Sequence, residues 1–305
     1  MGSDLAVLRE MLPYVSLGVA VTPVDEVDDG LWVKRDDLTS SEYGGNKVRK
    51  LEWVLAAPAR RGATLLTAGG IGSHHIHAVA QHGAALGLRT EAVVYDVEVA
   101  DDPDAALGRL EELGVRIHRI GSEYLMPIEL ARRLRSGVHL IWPGASTPAG
   151  TLGYVEAGLE LAGQLPERVA TVVVALGSGG TAVGLALGLA LGGRTEVDVL
   201  APMVSSRLVT APTVLGVLEA GTRTLLALGG LRPPAIRLST TDRYLGDGYG
   251  VPSDAGKRAT AVGHALGIPL ERTYTAKAFA AALDFRAERR PVLFVQTWAG
   301  SHLHD

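Results

Sequence analysis

The chain has 305 residues, of which 47% are hydrophobic and 20% are charged, as is typical of a globular protein with a substantial core. Its formal net charge of −4 gives no electrostatic reason to expect a nucleic-acid partner. Because cysteine is absent, disulfides, thiolate metal sites and a cysteine nucleophile are excluded.

The first part of the chain and one apolar stretch bear on location. No basic segment followed by an apolar run opens the sequence, so we expect no secretory signal and a cytoplasmic protein. Residues 169–193 carry no charge and are long enough to span a bilayer. A β-branched run followed by a glycine-rich interruption favours a buried strand, a turn and an apolar helix there, so we expect no membrane association.

In chain order, apolar patterning predicts a short helix at 5–11, a strand at 31–34, a polar loop at 36–43 and a helix from residue 46. A first alternating series has strands at 64–67, 90–95, 115–118 and 138–141 and helices at 74–86, 103–113 and 123–134. After a loop at 143–150, the second series has helices at 151–165, 181–191, 205–220, 253–266 and 276–287 and strands at 169–176, 196–201, 235–238 and 291–296. This alternation predicts an α/β fold with two domains, each a parallel-type sheet flanked by helices, and a cleft between them.

The stretch from Gly44 to Lys50 closes a loop and opens a helix. Lysine is scarce, since the chain has only five, and two of them, Lys47 and Lys50, lie here. Asn46 is a candidate N-cap, which would place Lys47 in the first helical turn, where the helix dipole lowers a lysine pKa. A lysine that loses its proton can attack a carbonyl, so the stretch indicates a Schiff-base nucleophile. An ordinary glycine turn with two solvated lysines is the alternative.

Three loops rich in glycine or serine follow predicted strands, at residues 68–75, 144–148 and 177–181. Ligands of open parallel sheets lie beyond the carboxyl ends of the strands. The third loop would present backbone amides and hydroxyls at a helix N-terminus, which suits a phosphate group. It has no Gly-Lys-Ser/Thr sequence of a Walker A loop and no acidic partner of a dinucleotide site. A purely structural glycine turn is the alternative here too.

Six segments in this order resemble the fold-type II pyridoxal-phosphate enzymes, in the branch that contains D-cysteine desulfhydrase and 1-aminocyclopropane-1-carboxylate deaminase. They are residues 34–39, 44–52, 143–146, 177–181, 248–252 and 274–278. The resemblance covers the chain from about Trp32 to Thr297 and implies a fold like that of the tryptophan synthase β subunit. We therefore expect a large cofactor-binding domain of residues 1–45 plus 161–305, a small domain of residues 46–160, and a homodimer.

The resemblance also implies how pyridoxal 5′-phosphate would be held. Lys47 would carry the cofactor as a Schiff base, with Asn46 beside it. Thr275 or Thr297 would face the pyridine nitrogen. The phosphate would be bound by the glycine-rich loop, which consists of Gly177, Ser178, Gly179, Gly180 and Thr181.

The reaction implied by the resemblance acts on a small amino acid. The substrate amine displaces Lys47, the released lysine removes the Cα proton, the cofactor stores the electron pair and a β-leaving group departs. The products are a 2-oxo acid and ammonia. Ser73 would lie at the substrate carboxylate, and Tyr249 and Tyr274 would flank the substrate. D-cysteine desulfhydrase activity fits best, with 1-aminocyclopropane-1-carboxylate deaminase and L-cysteate sulfo-lyase activities as alternatives.

Three positions depart from the pattern of this branch. His74 stands where an asparagine usually contacts the phenolic oxygen of the cofactor. A protonated His74 would place a cation there, whereas a ring turned aside would be a packing residue. Trp298 and Ala299 replace a pair of glycines. Thr275 replaces the glutamate of ring-opening deaminases, which favours the desulfhydrase activity and leaves room for a substrate such as L-cysteate.

Two other classes of function fit parts of the sequence. Clustered histidines can bind zinc, but no zincin-type glutamate accompanies them, and we expect no metal. A noncatalytic pyridoxal-phosphate-binding protein would keep the lysine and the phosphate loop but lack acid–base groups, and the two tyrosines argue against it. The histidine clusters comprise His74, His75, His77 and His82, and His302 and His304 with Asp305.

Overall fold

The computed structural model of the chain describes residues 5–97, 103–205, 210–288 and 290–298. Its strands are β1 (Val24–Asp28), β2 (Leu31–Lys34), β3 (Thr64–Gly70), β4 (Thr90–Tyr95), β5 (Arg116–Ile120), β6 (Val138–Leu140), β7 (Thr171–Val173), β8 (Asp198–Pro202), β9 (Leu238–Thr241) and β10 (Val292–Val295). Its helices are α1 (Ala6–Met11), α2 (Asn46–Val54), α3 (Ala56–Arg61), α4 (His74–Ala85), α5 (Pro103–Glu112), α6 (Met126–Arg133), α7 (Pro148–Ala162), α8 (Gly180–Leu191), α9 (Pro212–Leu228), α10 (Asp254–Ala265) and α11 (Thr275–Ala287).

The strands form two sheets with helices packed on their faces. The larger sheet has the order β1-β2-β10-β7-β8-β9, and the smaller has the order β5-β4-β3-β6. Every pairing is parallel except that of β1 with β2. The prediction of an α/β fold with parallel-type sheets is confirmed. Strand β10 pairs with β2 near the start of the chain, so residues far apart in sequence form one sheet.

Some element boundaries differ from those predicted, for local reasons. Strand β1 was not predicted, because it is an antiparallel edge strand in which Asp25 and Glu26 are exposed. Helix α7 begins at Pro148, earlier than expected, because Thr147 caps it by accepting the Gly150 N–H at 3.1 Å. Helix α9 begins at Pro212, and part of the helix predicted for 205–220, residues 206–209, lies outside the described residues.

The uncharged stretch at residues 169–193 forms β7, a glycine turn and α8, as expected. Strand β7 is shorter than predicted. Beyond its end, Leu176 forms an isolated β-bridge with Met203. Among the residues that the structure describes, no helix is both long and apolar enough to cross a membrane.

Helix α7 packs between α2 and α8, and glycines lie at the closest points of both contacts. A Cβ atom at Gly153 would lie 2.0 Å from the carbonyl oxygen of Arg49 in α2. On the other side of α7, a Cβ atom at Gly188 of α8 would lie 2.2 Å from the carbonyl oxygen of Val155. Glycine is therefore needed at both contacts, because any side chain would push the helices apart.

We expect Gly188→Ala to destabilise the protein, by about 1–3 kcal/mol, because the added methyl group overpacks the contact between α7 and α8. Gly216→Ala in α9 is the matched control, since its Cβ would meet nothing within 4 Å. That variant should gain about 0.5–1 kcal/mol from helix propensity. Urea unfolding curves of the two variants measure both effects. Equal midpoints for the two variants would contradict the packing explanation.

Candidate active site

A cleft with a volume of about 780 Å³ is lined by residues of both sheets' loops and helices. Its walls include the loops that follow β3 and β7, as expected for a ligand site at the carboxyl ends of parallel strands. Helices α2, α4 and α8 all begin at the cleft. Two of the predicted site residues, Gly180 and Thr275, do not line the cleft. Those that line it are Asn46, Lys47, Ser73, His74, Gly177, Ser178, Gly179, Thr181, Tyr249, Tyr274 and Thr297.

Lys47 lies in the first turn of α2, as predicted, but Asn46 is not the N-cap. That position is Gly45, whose φ of 96° favours glycine. The Asn46 side chain instead makes two contacts across the cleft wall. Its Oδ1 accepts a hydrogen bond from Lys47 Nζ at 2.6 Å, and its Nδ2 donates to Thr181 Oγ1 at 2.9 Å. Asn46 therefore ties the lysine to the start of α8.

The Lys47 amine is a weaker base than an ordinary lysine amine because it is enclosed by the cleft. Burial lowers its pKa from 10.5 to about 8, and the negative charge of Glu271 opposes part of that shift. Burial, and not the helix dipole from which a lowered pKa was predicted, is thus the largest cause of the shift in the Lys47 pKa. A pKa near 8 leaves a useful fraction of the amine unprotonated and nucleophilic around neutral pH.

The glycine-rich loop and α8 form an anion-binding cradle with Ser146. The Ser146 and Ser178 hydroxyl oxygens are 2.7 Å apart, and the Gly180 N–H donates to Ser146 Oγ at 3.2 Å. Gly179 has a φ of 90°, and a Cβ atom there would lie 2.6 Å from Leu215 of α9. Backbone amides and hydroxyls thus converge at the N-terminus of α8, where the helix dipole also favours an anion.

Lys50 lines the same cleft and is almost completely buried, at 1% exposure. Its Nζ lies 3.5 Å from Ser146 Oγ, so its amine faces the cradle. Burial, together with the positive charge of Lys47, lowers the pKa of Lys50 well below its usual value. A buried amine at such a cradle is a candidate phosphate ligand, a role that the sequence pattern does not predict for Lys50.

Tyr249 and Tyr274 meet at the cleft through their hydroxyl groups, which are 2.7 Å apart. Lys47 Nζ lies 5.8 Å from the centre of the Tyr274 ring. Burial raises the pKa of both phenols above 10, so both stay protonated at neutral pH. One hydroxyl hydrogen forms the hydrogen bond between the two oxygens, and the other can be donated to a third group.

Ser73 and His74 lie at the start of α4. Ser73 is the N-cap, but its side chain makes no capping hydrogen bond. Enclosure of the His74 ring, and the charge of Lys47, lower its pKa from 6.5 to about 3. The imidazole is therefore neutral. Its ring centre lies 4.7 Å from that of Trp298, so two of the three positions that depart from the family pattern contact each other. Trp298 also stacks on Tyr43 at 4.5 Å.

The two threonines proposed for the pyridine nitrogen lie in different surroundings. Thr297 lines the cleft, and its carbonyl oxygen accepts the Asn46 N–H at 2.9 Å. Thr275 is fully buried and does not line the cleft. Its hydroxyl accepts the Glu271 N–H at 2.8 Å. The structure therefore brings Thr297, and not Thr275, together with the other site residues.

The histidines of α4 each contact a different part of the protein. His75 Nε2 lies 2.8 Å from Thr67 Oγ1, His77 Nδ1 lies 3.1 Å from the Ser73 carbonyl oxygen, and His82 Nε2 lies 3.1 Å from the Tyr43 carbonyl oxygen. No group of three or more metal-ligating side chains occurs within the described ranges. The C-terminal cluster, His302, His304 and Asp305, lies outside the described residues, as does Ala299.

Comparisons with known proteins agree with this geometry. The profile of the family described as "Pyridoxal-phosphate dependent enzyme" matches residues 15–295. D-cysteine desulfhydrase of Salmonella newport (strain SL254) is 34% identical, over 93% of this chain and 93% of that protein. D-cysteine desulfhydrase of Salmonella paratyphi A is also 34% identical, over 88% of this chain and 86% of that protein.

Solved structures share the fold. A crystal structure of an ACC deaminase homologue superposes with a TM-score of 0.83 at 29% identity, covering 99% of this chain and 96% of that one. Maize serine racemase gives a TM-score of 0.66 at 18% identity, covering 98% of this chain and 94% of that one, and is similar in fold alone. With a family profile spanning most of its length and relatives above 30% identity, the chain belongs to the family of pyridoxal-phosphate dependent enzymes.

Proposed function

We propose that the protein is a lyase that converts D-cysteine and water into a 2-oxo acid, ammonia and hydrogen sulfide. The observation that carries this proposal is the meeting of the Lys47 amine, whose pKa is lowered to about 8, with the Tyr249–Tyr274 hydroxyl pair in one cleft. A base and a proton donor that line the same cleft suit the removal of a Cα proton and the departure of a β-leaving group. The D-cysteine desulfhydrases that resemble the chain support the substrate.

The residues of the cleft fit pyridoxal phosphate, which is the cofactor of the family. The cradle formed by Ser146, Ser178 and the N-terminus of α8 suits the phosphate. The Lys50 amine has a lowered pKa in the cleft, but a phosphate dianion beside it would favour its charged form and accept a hydrogen bond from it. Lys47 would hold the cofactor covalently, and Thr297 would face its ring nitrogen. When bound, the cofactor accepts the electron pair that deprotonation leaves at the substrate Cα.

The remaining site residues would act on the substrate itself. The Ser73 hydroxyl and the N-terminal amides of α4 suit the substrate carboxylate, since a helix N-terminus favours an anion. Lys47 would take the Cα proton. The free hydroxyl hydrogen of the tyrosine pair would pass to the departing sulfur, because both phenols are protonated at neutral pH. His74, being neutral, would contribute a hydrogen bond to the cofactor and no charge.

Ring opening of 1-aminocyclopropane-1-carboxylate is the second candidate, because a homologue of ACC deaminase shares the fold at 29% identity. The position after the second tyrosine, where ring-opening deaminases carry glutamate, is Thr275, whose side chain is turned away from the cleft. That acidic group is therefore not supplied at this position. D-cysteine fits the described site better.

We also infer the division of the chain into a large domain of residues 1–45 plus 161–305 and a small domain of residues 46–160. The four strands of the smaller sheet lie within 46–160 and the six strands of the larger sheet lie outside it, which supports the division. Helix α7 crosses its second boundary. A cytoplasmic homodimer is inferred from the family resemblance, and cell fractionation with light scattering tests both inferences.

We expect borohydride to fix the cofactor on Lys47 and not on Lys50, because the Lys47 amine is the more open to the cleft, whereas the Lys50 amine is almost completely buried and faces Ser146 of the cradle. Peptide mapping of the reduced protein locates the modified lysine. Lys50→Met should keep the visible absorption of the lysine-bound cofactor but weaken cofactor binding about tenfold or more, since it removes a charged phosphate contact. Lys47→Met should abolish the absorption band. A modified Lys50 in the parent protein would contradict this assignment.

The substrate proposal predicts that D-cysteine gives the highest kcat/KM in a panel with L-cysteine, L-cysteate, D-serine and 1-aminocyclopropane-1-carboxylate. Release of the 2-oxo acid is measured for each compound, and sulfide should appear from D-cysteine in equal amount. Tyr249→Phe should lower turnover by about 100-fold, as expected for loss of a proton donor. Preferred turnover of any other member of the panel would overturn the choice of D-cysteine.

His74→Asn should leave the pH dependence of the cofactor absorption unchanged between pH 5 and 9, roughly two to six pH units above the His74 pKa of about 3. The ring carries no charge over this range, so its replacement removes no titrating group. His264→Asn, at an exposed position in α10, is the control. A shift of the titration midpoint in His74→Asn alone would show that the bound cofactor restores a charged imidazole.

A further inference from the structure

Helix α11 carries two side chains that hold the loop between β9 and α10. Lys277 and Asp284 are seven residues apart, which places them on one face of the helix, two turns from each other. Lys277 Nζ donates to the carbonyl oxygens of Leu245 at 2.7 Å and Gly248 at 2.9 Å. Asp284 accepts the Tyr244 hydroxyl at 2.7 Å. The loop is therefore fastened to α11 at two points.

The fastened loop is the one that carries Tyr249. It contains no helix or strand, and Gly246, Gly248 and Gly250 all have positive φ values. A Cβ atom at Gly248 or Gly250 would meet nothing within 4 Å, so packing around these residues does little to restrain the backbone. Because a glycine backbone is conformationally free, this loop is held in one conformation only by contacts from other residues. The contact from Lys277 to the Gly248 carbonyl is one residue from Tyr249.

Tyr274 lies three residues before Lys277, at the N-cap of α11. The hydroxyl pair thus joins one tyrosine at the start of α11 to another on the loop between β9 and α10. Their 2.7 Å separation depends on how the loop is held against the helix. A shift of about 1 Å in such an arrangement can cost on the order of 100-fold in rate.

We infer that Lys277 is a positioning residue, whose two hydrogen bonds to the loop at Leu245 and Gly248 hold the Tyr249 hydroxyl against that of Tyr274 for the proton transfer of the proposed function. Lys277 is fully buried and has no access to the cleft, so it does not touch the substrate. Burial lowers its pKa, with the charges of Glu271 and Asp247 opposing part of the shift. Burying an amine costs free energy, and the hydrogen bonds from Lys277 to the two carbonyl oxygens offset that cost.

The first test reads the loop directly and needs no substrate. Lys277→Met should raise amide hydrogen exchange in residues 245–250 about tenfold or more, since it removes both contacts, while exchange in α2 and α8 stays unchanged. Lys257→Met, an exposed lysine paired with Asp254 on α10, is the matched control and should change nothing in the loop. Unchanged loop exchange in Lys277→Met would overturn the inference, whatever the substrate of the enzyme is.

The second test separates positioning from general destabilisation by a double-mutant cycle. Lys277→Met should lower kcat by about 10- to 100-fold in the parent but by less than about twofold in Tyr249→Phe, because the hydroxyl it positions is already gone. Equal losses in both backgrounds would overturn the inference. If Lys277→Met fails to fold, Lys277→Gln, which keeps one donor group, takes its place in the same cycle. Cofactor absorption verifies that each variant retains the lysine-bound cofactor.

Discussion

The site depends on the close approach of three helices, α2, α7 and α8, whose backbones meet through glycines. Gly153 brings α7 against α2, and Gly188 brings α8 against α7. These contacts set the distance between the N-termini of α2 and α8, which carry Lys47 and the groups of the cradle. The hydrogen bond from Asn46 to Thr181 closes that gap and would not form if a side chain separated the helices. A backbone contact well behind the cleft therefore determines the geometry inside it.

Buried ion pairs also hold helix α2 against α7. Arg49, two residues after Lys47, contacts Asp36 and Glu160 at 3.0 Å each, and the Tyr154 hydroxyl donates to Asp36 at 2.7 Å. Burial opposes ionisation of Asp36, but Arg49 and Lys34 more than offset this, so its pKa is lowered. Breaking such a buried pair typically costs about 3–5 kcal/mol because it leaves a charge uncompensated. The network holds α2 to α7 in a single register, which glycine contacts alone do not specify.

Much of this could be predicted from local sequence, and the rest could not, for physical reasons. Alternating apolar segments predicted the α/β fold, lysine scarcity beside a glycine turn pointed to the stretch that holds Lys47 and Lys50, and the family resemblance assigned the cofactor to Lys47. The Asn46 side chain was expected to cap its own helix, but its partner, Thr181, is 135 residues away. The contact between Lys50 and Ser146 could not be predicted, because the two residues meet only after folding. Thr275 follows Tyr274 directly, yet one step along a helix turns a side chain by about 100°, away from the cleft.

The electrostatics of the cleft explain why its basic side chains favour the binding of an anion. Lys47, Lys50, His74 and His75 are crowded into one enclosed space, where burial lowers the pKa of each. The positive charge of Lys47 adds to the shift in the other three, so few of these groups carry a proton together. A phosphate dianion bound at the cradle would act on Lys50 with the opposite sign and favour its charged form. The Ser146 hydroxyl and the amides at the start of α8 would share the charge of that anion. Phosphate binding and the protonation of Lys50 would therefore be linked, while Lys47, with a pKa of about 8, would stay partly neutral.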